Sequence, residues 1–157
     1  MLAVTSQGPE LISVEDVPKP GLEVNTDALV RITTSALCGT DMHVYHHKIP
    51  DVPAGWIVGH EFCGVVEEIG DAVTGFKPGD RVVSSMYVAC GRCPACVAGD
   101  HRRCKDFQMF GMGRAFGNLP GGQAEYVRVP LADMTLRSIP DNLSDESTIF
   151  TGDILAT

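Results

Sequence analysis

The chain has 157 residues, which is enough for one domain with a substantial hydrophobic core. Hydrophobic residues make up 44% of it and charged residues 20%, as in ordinary globular proteins rather than disordered ones. Twelve Lys and Arg residues against twenty Asp and Glu give a formal net charge of −8, which argues against a nucleic acid partner because phosphate backbones are bound by basic surfaces.

Strand-like segments follow one another along the chain, separated by many of its 17 glycines and 10 prolines. We predict five strands, over residues 10–17, 28–38, 62–69, 81–88 and 122–129. The segment 77–80, Lys-Pro-Gly-Asp, predicts a type II turn, because Pro fixes φ at the first central position and Gly supplies a positive φ at the second. Ser144 predicts a helix N-cap, since Asp145 and Glu146 after it favour the positive end of the helix dipole.

Four cysteines lie close together in the sequence, at Cys90, Cys93, Cys96 and Cys104. A zinc ion takes four thiolates at about 2.3 Å in a tetrahedron. A zinc ribbon would instead pair two Cys-x-x-Cys knuckles across a longer gap, and a bacterial iron–sulfur run would place three residues before its fourth cysteine. The spacing therefore predicts a closed structural zinc site, whose complete coordination leaves no position for chemistry.

A second set of candidate ligands comes from three separated segments. Cys38 begins the segment Cys38-Gly-Thr-Asp-Met-His43, His60 and Glu61 stand next to each other, and Asp153 lies near the end of the chain. A thiolate, an imidazole and a carboxylate would leave one tetrahedral position open, as a catalytic zinc requires. Each residue also has a plainer interpretation, because a lone cysteine is usually a small core residue and a lone aspartate a solvated charge.

Together these motifs resemble the zinc-containing, medium-chain alcohol dehydrogenase family. The pattern Gly59-His60-Glu61-x-x-Gly64-x5-Gly70-x-x-Val73 is similar to the signature of that family, and the spacing of the four clustered cysteines is similar to its structural zinc lobe. The segments 38–43 and Gly122-Gln-Ala-Glu-Tyr-Val127 also match. The resemblance covers essentially the whole chain. It implies a mainly β, GroES-like partial β-barrel over residues 1–157, with a protruding zinc lobe built on the four clustered cysteines and few short helices.

The resemblance also implies ligands for a catalytic zinc. Cys38 and His60 match the first two ligands of the family. Because no cysteine follows Cys104, the third ligand departs from the family version that uses two cysteines and one histidine. Family branches with an acidic residue at this point make Asp153 the candidate, and Glu61, which in the family sits behind the metal or coordinates transiently, is the alternative.

Three further residues match functional positions of the family. Asp41 matches a carboxylate that orients the ligand His60, as ligating imidazoles generally require. Thr40 and His43 match a proton relay, in which a hydroxyl passes the alcohol proton out of a water-poor pocket to a base nearer solvent. Zinc would act as a Lewis acid on the alcohol oxygen while hydride passes to a nicotinamide. Thr40, His43 and Glu61 are therefore the catalytic candidates.

The implied protein is a zinc-dependent, NAD(P)-linked oxidoreductase with two zinc ions per chain, acting on a small alcohol, aldehyde or ketone as a homo-oligomer in its complete form. The chain lacks the Gly-rich first turn of a nucleotide-binding Rossmann domain, so we expect a catalytic portion that is inactive alone. The alternative is a non-catalytic, zinc-stabilised scaffold or interaction module.

Neither a signal peptide nor a run of about 20 apolar residues is present, which favours a cytoplasmic protein without a membrane partner.

Overall fold

The computed structural model describes residues 1–155, which form ten strands and several short helices. In chain order the strands are β1 (Leu2–Gly8), β2 (Leu11–Asp16), β3 (Ala28–Ala36), β4 (Trp56–Ile57), β5 (Glu61–Ile69), β6 (Arg81–Ser84), β7 (Tyr87–Val88), β8 (Gln108–Met109), β9 (Tyr126–Val129) and β10 (Leu136–Ser138). The α-helices are α1 (Asp41–Tyr45), α2 (Pro94–Val97), α3 (Ala132–Thr135) and α4 (Asp145–Thr148). Three 3-10 helices cover His101–Arg103, Arg114–Phe116 and Ile149–Thr151.

The strands form two main antiparallel sheets. A five-stranded sheet has the order β10-β6-β5-β3-β9, and a three-stranded sheet has the order β2-β1-β4. A third pair, β7 and β8, adjoins the cysteine-rich segment. The three-stranded sheet is joined to the segment that leads into β9, because Val4 of β1 donates its N–H to the carbonyl of Gln123, at 2.8 Å. The predicted fold class, mainly β with few short helices, is confirmed.

The main core lies against the five-stranded sheet. Phe62 and Phe110 meet edge to face in its centre, with ring centroids 5.1 Å apart, a geometry that aromatic quadrupoles favour. Valine, leucine and alanine side chains from six strands, from α3 and from two connecting segments fill the space around them. These residues are Ala28, Val30, Val66, Val73, Val82, Val88, Leu119, Val127, Val129, Ala132 and Leu136. Such β-branched residues on facing strands explain why these segments form a sheet.

The predicted strands agree with the structure except at two places. The predicted strand 81–88 is two strands, because Ser85 and Met86 leave the sheet and β7 pairs with β8 instead of continuing along β5. The predicted strand 122–129 begins only at Tyr126, since the residues before it connect the two main sheets. The predicted turn is confirmed, with Gly79 at φ +95°. Ser144 caps α4 as predicted, and its Oγ accepts the N–H of Ser147 at 3.3 Å.

A half-buried carboxylate joins α4 to the main sheet. Asp145 accepts hydrogen bonds from the Arg81 guanidinium of β6 and from the Thr33 hydroxyl of β3. Burial alone would raise the pKa of Asp145, but the hydrogen bonds from Thr33 and Arg81 outweigh it and hold the pKa below its ordinary value. The Asp145 side chain is only 15% exposed, so water screens the pair weakly.

We expect Asp145→Asn to lower the free energy of unfolding by about 1–2 kcal/mol at neutral pH, because it removes a charge-assisted pair. A carboxylate with a depressed pKa stabilises the fold above its unfolded pKa of about 3.9, and this stability is lost as the pH falls through the folded pKa. Urea unfolding at pH 7 and at pH 3 should show the difference between wild type and variant shrinking in acid. Glu146→Gln, on the exposed side of the same helix, is the control. A difference that does not change with pH would contradict this role.

Candidate metal centres

The first centre is a compact cluster of four cysteines. The Sγ atoms of Cys90, Cys93, Cys96 and Cys104 all lie within 4.8 Å of one another. Three of these residues are buried, and none forms a disulfide. The backbone N–H groups of Cys90 and Asp106 both donate to the sulfur of Cys104, at 3.2 and 3.3 Å. The structure therefore brings together all four residues that the spacing predicts.

Local turns fold the lobe that carries this cluster. Pro94 opens α2, where its missing N–H costs no intrahelical bond, and places Cys96 in the first turn of that helix. Gly91 has φ +70°, a conformation that side-chain-bearing residues rarely adopt, and it lies directly against Met134. The 3-10 helix 101–103 then returns the chain so that Cys104 faces the other three sulfurs.

The four thiols of the cluster differ in acidity. Backbone N–H groups, above all those of Arg92 and Cys96, lower the pKa of Cys90 and lower that of Cys93 to about 6. Burial and the neighbouring sulfurs instead raise the pKa of Cys96 to about 12. Four close sulfurs cannot all be thiolates unless a positive ion lies among them. Four sulfur donors, which leave no coordination position open, fit a structural zinc ion.

The second centre joins three distant parts of the chain. One ligand atom each of Cys38, His60 and Asp153 lies within 4.8 Å of the other two. Cys38 follows β3 and His60 precedes β5, and these strands are antiparallel neighbours with Ala36 opposite Glu61, so both residues emerge at the same sheet edge. Asp153 arrives there from the last 3-10 helix. The predicted ligands therefore meet.

His60 lies at the centre of this group and is completely buried. Its Nε2 is 3.2 Å from Asp153 Oδ2, and its Nδ1 is 3.2 Å from Asp41 Oδ1. Asp41 Oδ2 also accepts the backbone N–H of Cys38 at 3.0 Å, so this carboxylate fixes both ligands. Burial lowers the pKa of His60, but Asp41 and Cys38 together outweigh it and raise the pKa to about 9. Asp41 thus stands where the resemblance puts the orienting carboxylate.

Glu61 is buried beside the three ligands with 1% of its surface exposed. Neither carboxylate oxygen of Glu61 has a hydrogen-bond partner among residues 1–155. Burial and then the negative charge of Asp153 raise the pKa of Glu61. An unpaired buried carboxylate costs several kcal/mol unless a cation is near. Together with the thiol, the imidazole and a second carboxylate, this residue makes the group fit a divalent zinc ion.

The two residues of the predicted relay lie at different depths. Thr40 is the N-cap residue of α1, but its hydroxyl makes no capping bond and lies 3.5 Å from the sulfur of Cys38. His43 is exposed one turn along the same helix. Among residues 1–155 no hydrogen bond joins the Thr40 hydroxyl to the His43 ring. The structure thus puts Thr40 at the second centre and His43 at the surface.

Sequence reasoning missed a groove of about 540 Å³ that borders Asp41. Its lining is otherwise almost entirely apolar and consists of Val4, Ile12, Leu37, Met42, Tyr45, Val58 and Gln123. The lining comes from β1, β2, α1 and three connecting segments, so no local motif marks it. Only the packing of these elements against one another brings the side chains together.

Within residues 1–155 no helix is long and apolar enough to cross a membrane.

The family model of the alcohol dehydrogenase GroES-like domain matches residues 24–141. A medium chain reductase/dehydrogenase of an Acremonium species, ucsI, is 45% identical to the chain over 158 aligned positions, covering 100% of the chain and 52% of that protein.

Two solved structures share the fold closely. The alcohol dehydrogenase TADH from Thermus sp. ATN1 is 45% identical with a TM-score of 0.95, over 99% of the chain and 45% of that protein. The zinc dependent alcohol dehydrogenase 2 from Streptococcus pneumonia is 43% identical with a TM-score of 0.84, over 96% of the chain and 41% of that protein. The chain therefore spans about half the length, or less, of these relatives.

Proposed function

Because the chain belongs to the alcohol dehydrogenase GroES-like domain family, we propose that it is the zinc-binding catalytic domain of a zinc-dependent alcohol dehydrogenase. The observation that carries this proposal is the meeting of Cys38, His60 and Asp153 from three distant segments. Three protein ligands leave a fourth position for substrate, whereas the four-cysteine cluster is closed. We therefore propose that the chain binds two zinc ions, one in each centre.

Asp153 rather than Glu61 is the proposed third ligand. A carboxylate oxygen of Asp153 lies within 4.8 Å of the ligand atoms of both Cys38 and His60, and Glu61 is not a member of that group. Glu61 is proposed to stay beside the metal, where its buried carboxylate adds negative charge to the group. Asp41 keeps the imidazole of His60 oriented and holds the backbone N–H of Cys38.

A bound zinc ion supplies Lewis acidity toward an alcohol or carbonyl oxygen. The Thr40 hydroxyl, beside Cys38, is proposed to accept the proton of the substrate hydroxyl while it donates its own proton through water toward His43. His43, on the same helix and in contact with water, is proposed to release that proton to solvent. The carbon that bears the hydroxyl gives up its hydride to oxidised NAD or NADP and becomes a carbonyl carbon. We propose that the remainder of the complete protein holds this nicotinamide.

A substitution at Thr40 tests the relay in the complete protein. We expect Thr40→Val to lower kcat/KM for alcohol oxidation at least about 100-fold, because positioned proton transfer contributes about 10²–10⁴-fold. Zinc content should stay at two ions per chain, since Thr40 is not a ligand. Thr40→Ser keeps a hydroxyl and should retain most of the activity. Alcohol-dependent formation of reduced nicotinamide, followed by its absorbance, is the measurement.

The outcomes separate the parts of the proposal. Full activity of Thr40→Val would remove Thr40 from the mechanism and leave the metal site standing. Binding of a single zinc ion by the wild-type chain, with no alcohol-dependent reduction of NAD or NADP, would favour the zinc-stabilised scaffold instead.

A further inference from the structure

Gly152 occupies a narrow space between the third ligand and the main sheet. A Cβ atom on this residue would lie 2.3 Å from the backbone oxygen of Ser84. Gly152 itself has φ −72° and ψ −32°, the ordinary right-handed helical conformation that every L-residue adopts. The position therefore excludes a side chain because of the space and not because of the backbone angles.

Both sides of this contact are anchored in the fold. Ser84 is 1% exposed and belongs to β6, where it lies opposite Leu136 of β10. Gly152 donates its N–H to the carbonyl of Ile149 at 3.2 Å, and Ile149 is buried among Cys63, Val83 and Ile139. The close approach is thus between two anchored stretches of backbone, with no flexible side chain that could turn aside.

An added methyl group would displace the ligand that follows it. Real Cβ atoms essentially never approach another heavy atom closer than 3.0 Å, so a methyl group at residue 152 must retreat by at least 0.7 Å. The adjacent Asp153 carboxylate, now 3.2 Å from His60 Nε2, would move with it. Zinc–ligand distances tolerate deviations of only about 0.2 Å.

We infer that Gly152 is a positioning residue, whose missing side chain lets the segment 149–153 lie against Ser84 and so sets Asp153 at the distance a metal ion needs. This inference rests on the proposed three-ligand zinc centre. It concerns metal affinity at that centre and not the four-cysteine cluster.

Zinc analysis of Gly152→Ala tests the inference. We expect the folded variant to bind the second zinc ion at least 10-fold more weakly, while the four-cysteine cluster stays filled. Cobalt(II) titration should show the same pattern, with the absorption bands of one centre retained and those of the other weakened, as in Asp153→Ala. Gly39→Ala is the matched control, because Gly39 directly follows the ligand Cys38 and no atom lies within 4 Å of its added Cβ. That variant should bind both ions like the wild type.

The outcomes are distinct. If Gly152→Ala binds two zinc ions with unchanged affinity, this inference alone is overturned. If the wild type binds only one zinc ion, the proposed function is overturned as well. A merely structural role for Gly152 would lower the melting temperature but leave the zinc affinity of the folded variant unchanged. If Gly152→Ala does not fold, Asp153→Glu carries the test. A carboxylate set in place by its backbone cannot absorb an extra methylene, so this variant should also bind the second ion at least 10-fold more weakly, and unchanged affinity would overturn the inference.

Discussion

Cys104→Ala is expected to cost the protein one zinc ion and the folded state of the lobe over residues 90–104. A closed thiolate site contributes its metal-binding energy to folding, and about 10–16 kcal/mol is typical of small zinc domains. The lobe has few other contacts to hold it, since its buried cluster consists largely of the cysteines themselves with Ala89. Three remaining sulfurs would bind zinc far more weakly than four. Zinc analysis and limited proteolysis within the lobe are the measurements.

Cys63→Ala is the matched control for that experiment. Cys63 is more deeply buried than the clustered cysteines, but it packs with Val83, Ile139 and Ile149 and belongs to neither candidate centre. Burial and the nearby Asp145 raise the pKa of Cys63 to about 12, so it stays a neutral thiol. Losing one sulfur from a core should cost about 1 kcal/mol and no zinc. An intact lobe with full zinc content in Cys104→Ala would show that the cluster is not a structural zinc site.

The second large effect is expected at Cys38. Cys38→Ala should bind one zinc ion fewer and lose alcohol oxidation by at least about 1,000-fold in the complete protein, because a two-ligand site holds zinc poorly. The fold should survive, since Cys38 is half-buried in a connection after β3 and contributes little to the core. Metal analysis, circular dichroism and activity assays measure the three parts. Unchanged zinc stoichiometry would show that the ligand assignment is wrong.

The two large effects therefore differ in kind. One substitution should remove a metal ion together with the structure around it, and the other should remove a metal ion from an otherwise folded protein. Thermal unfolding with and without a chelator separates the two substitutions, because only Cys104→Ala should change the unfolding curve strongly. The contrast follows from the number of sulfurs at each centre and from the sheet that supports the second one.

Much of this site was predictable because its chemistry depends on residue type and short spacing. The four clustered cysteines and the pair Cys38 and His60 are rare residues at distinctive intervals, and the structure brings each set together. Asp153 was a weaker prediction, because aspartate is common at surfaces and only the resemblance favoured it over Glu61 as the third ligand. Its place beside His60 depends on the register of β3 and β5 and on the packing of residues 149–152 against β6.

Strands β1, β4, β8 and β10 were not predicted from the sequence, and β7 was not separated from β6. The strands β4, β7 and β8 have two residues each, too few for any alternation of apolar and polar side chains to be seen. The split between β6 and β7 arises because β7 has its own partner in β8. The contact of Gly152 with Ser84 joins residues 68 positions apart, and in the sequence Gly152 is one of 17 glycines.

The two centres also differ in how much chain must be synthesised before each can close. The ligands of the four-cysteine cluster end at residue 104, whereas the other centre waits for residue 153, which is 49 residues later. At about 5–20 residues per second on the ribosome, that interval lasts roughly 2–10 seconds. The lobe is therefore complete first on the nascent polypeptide and has the earlier access to scarce metal. Chains made during zinc starvation should accumulate with the lobe filled and the second centre still empty.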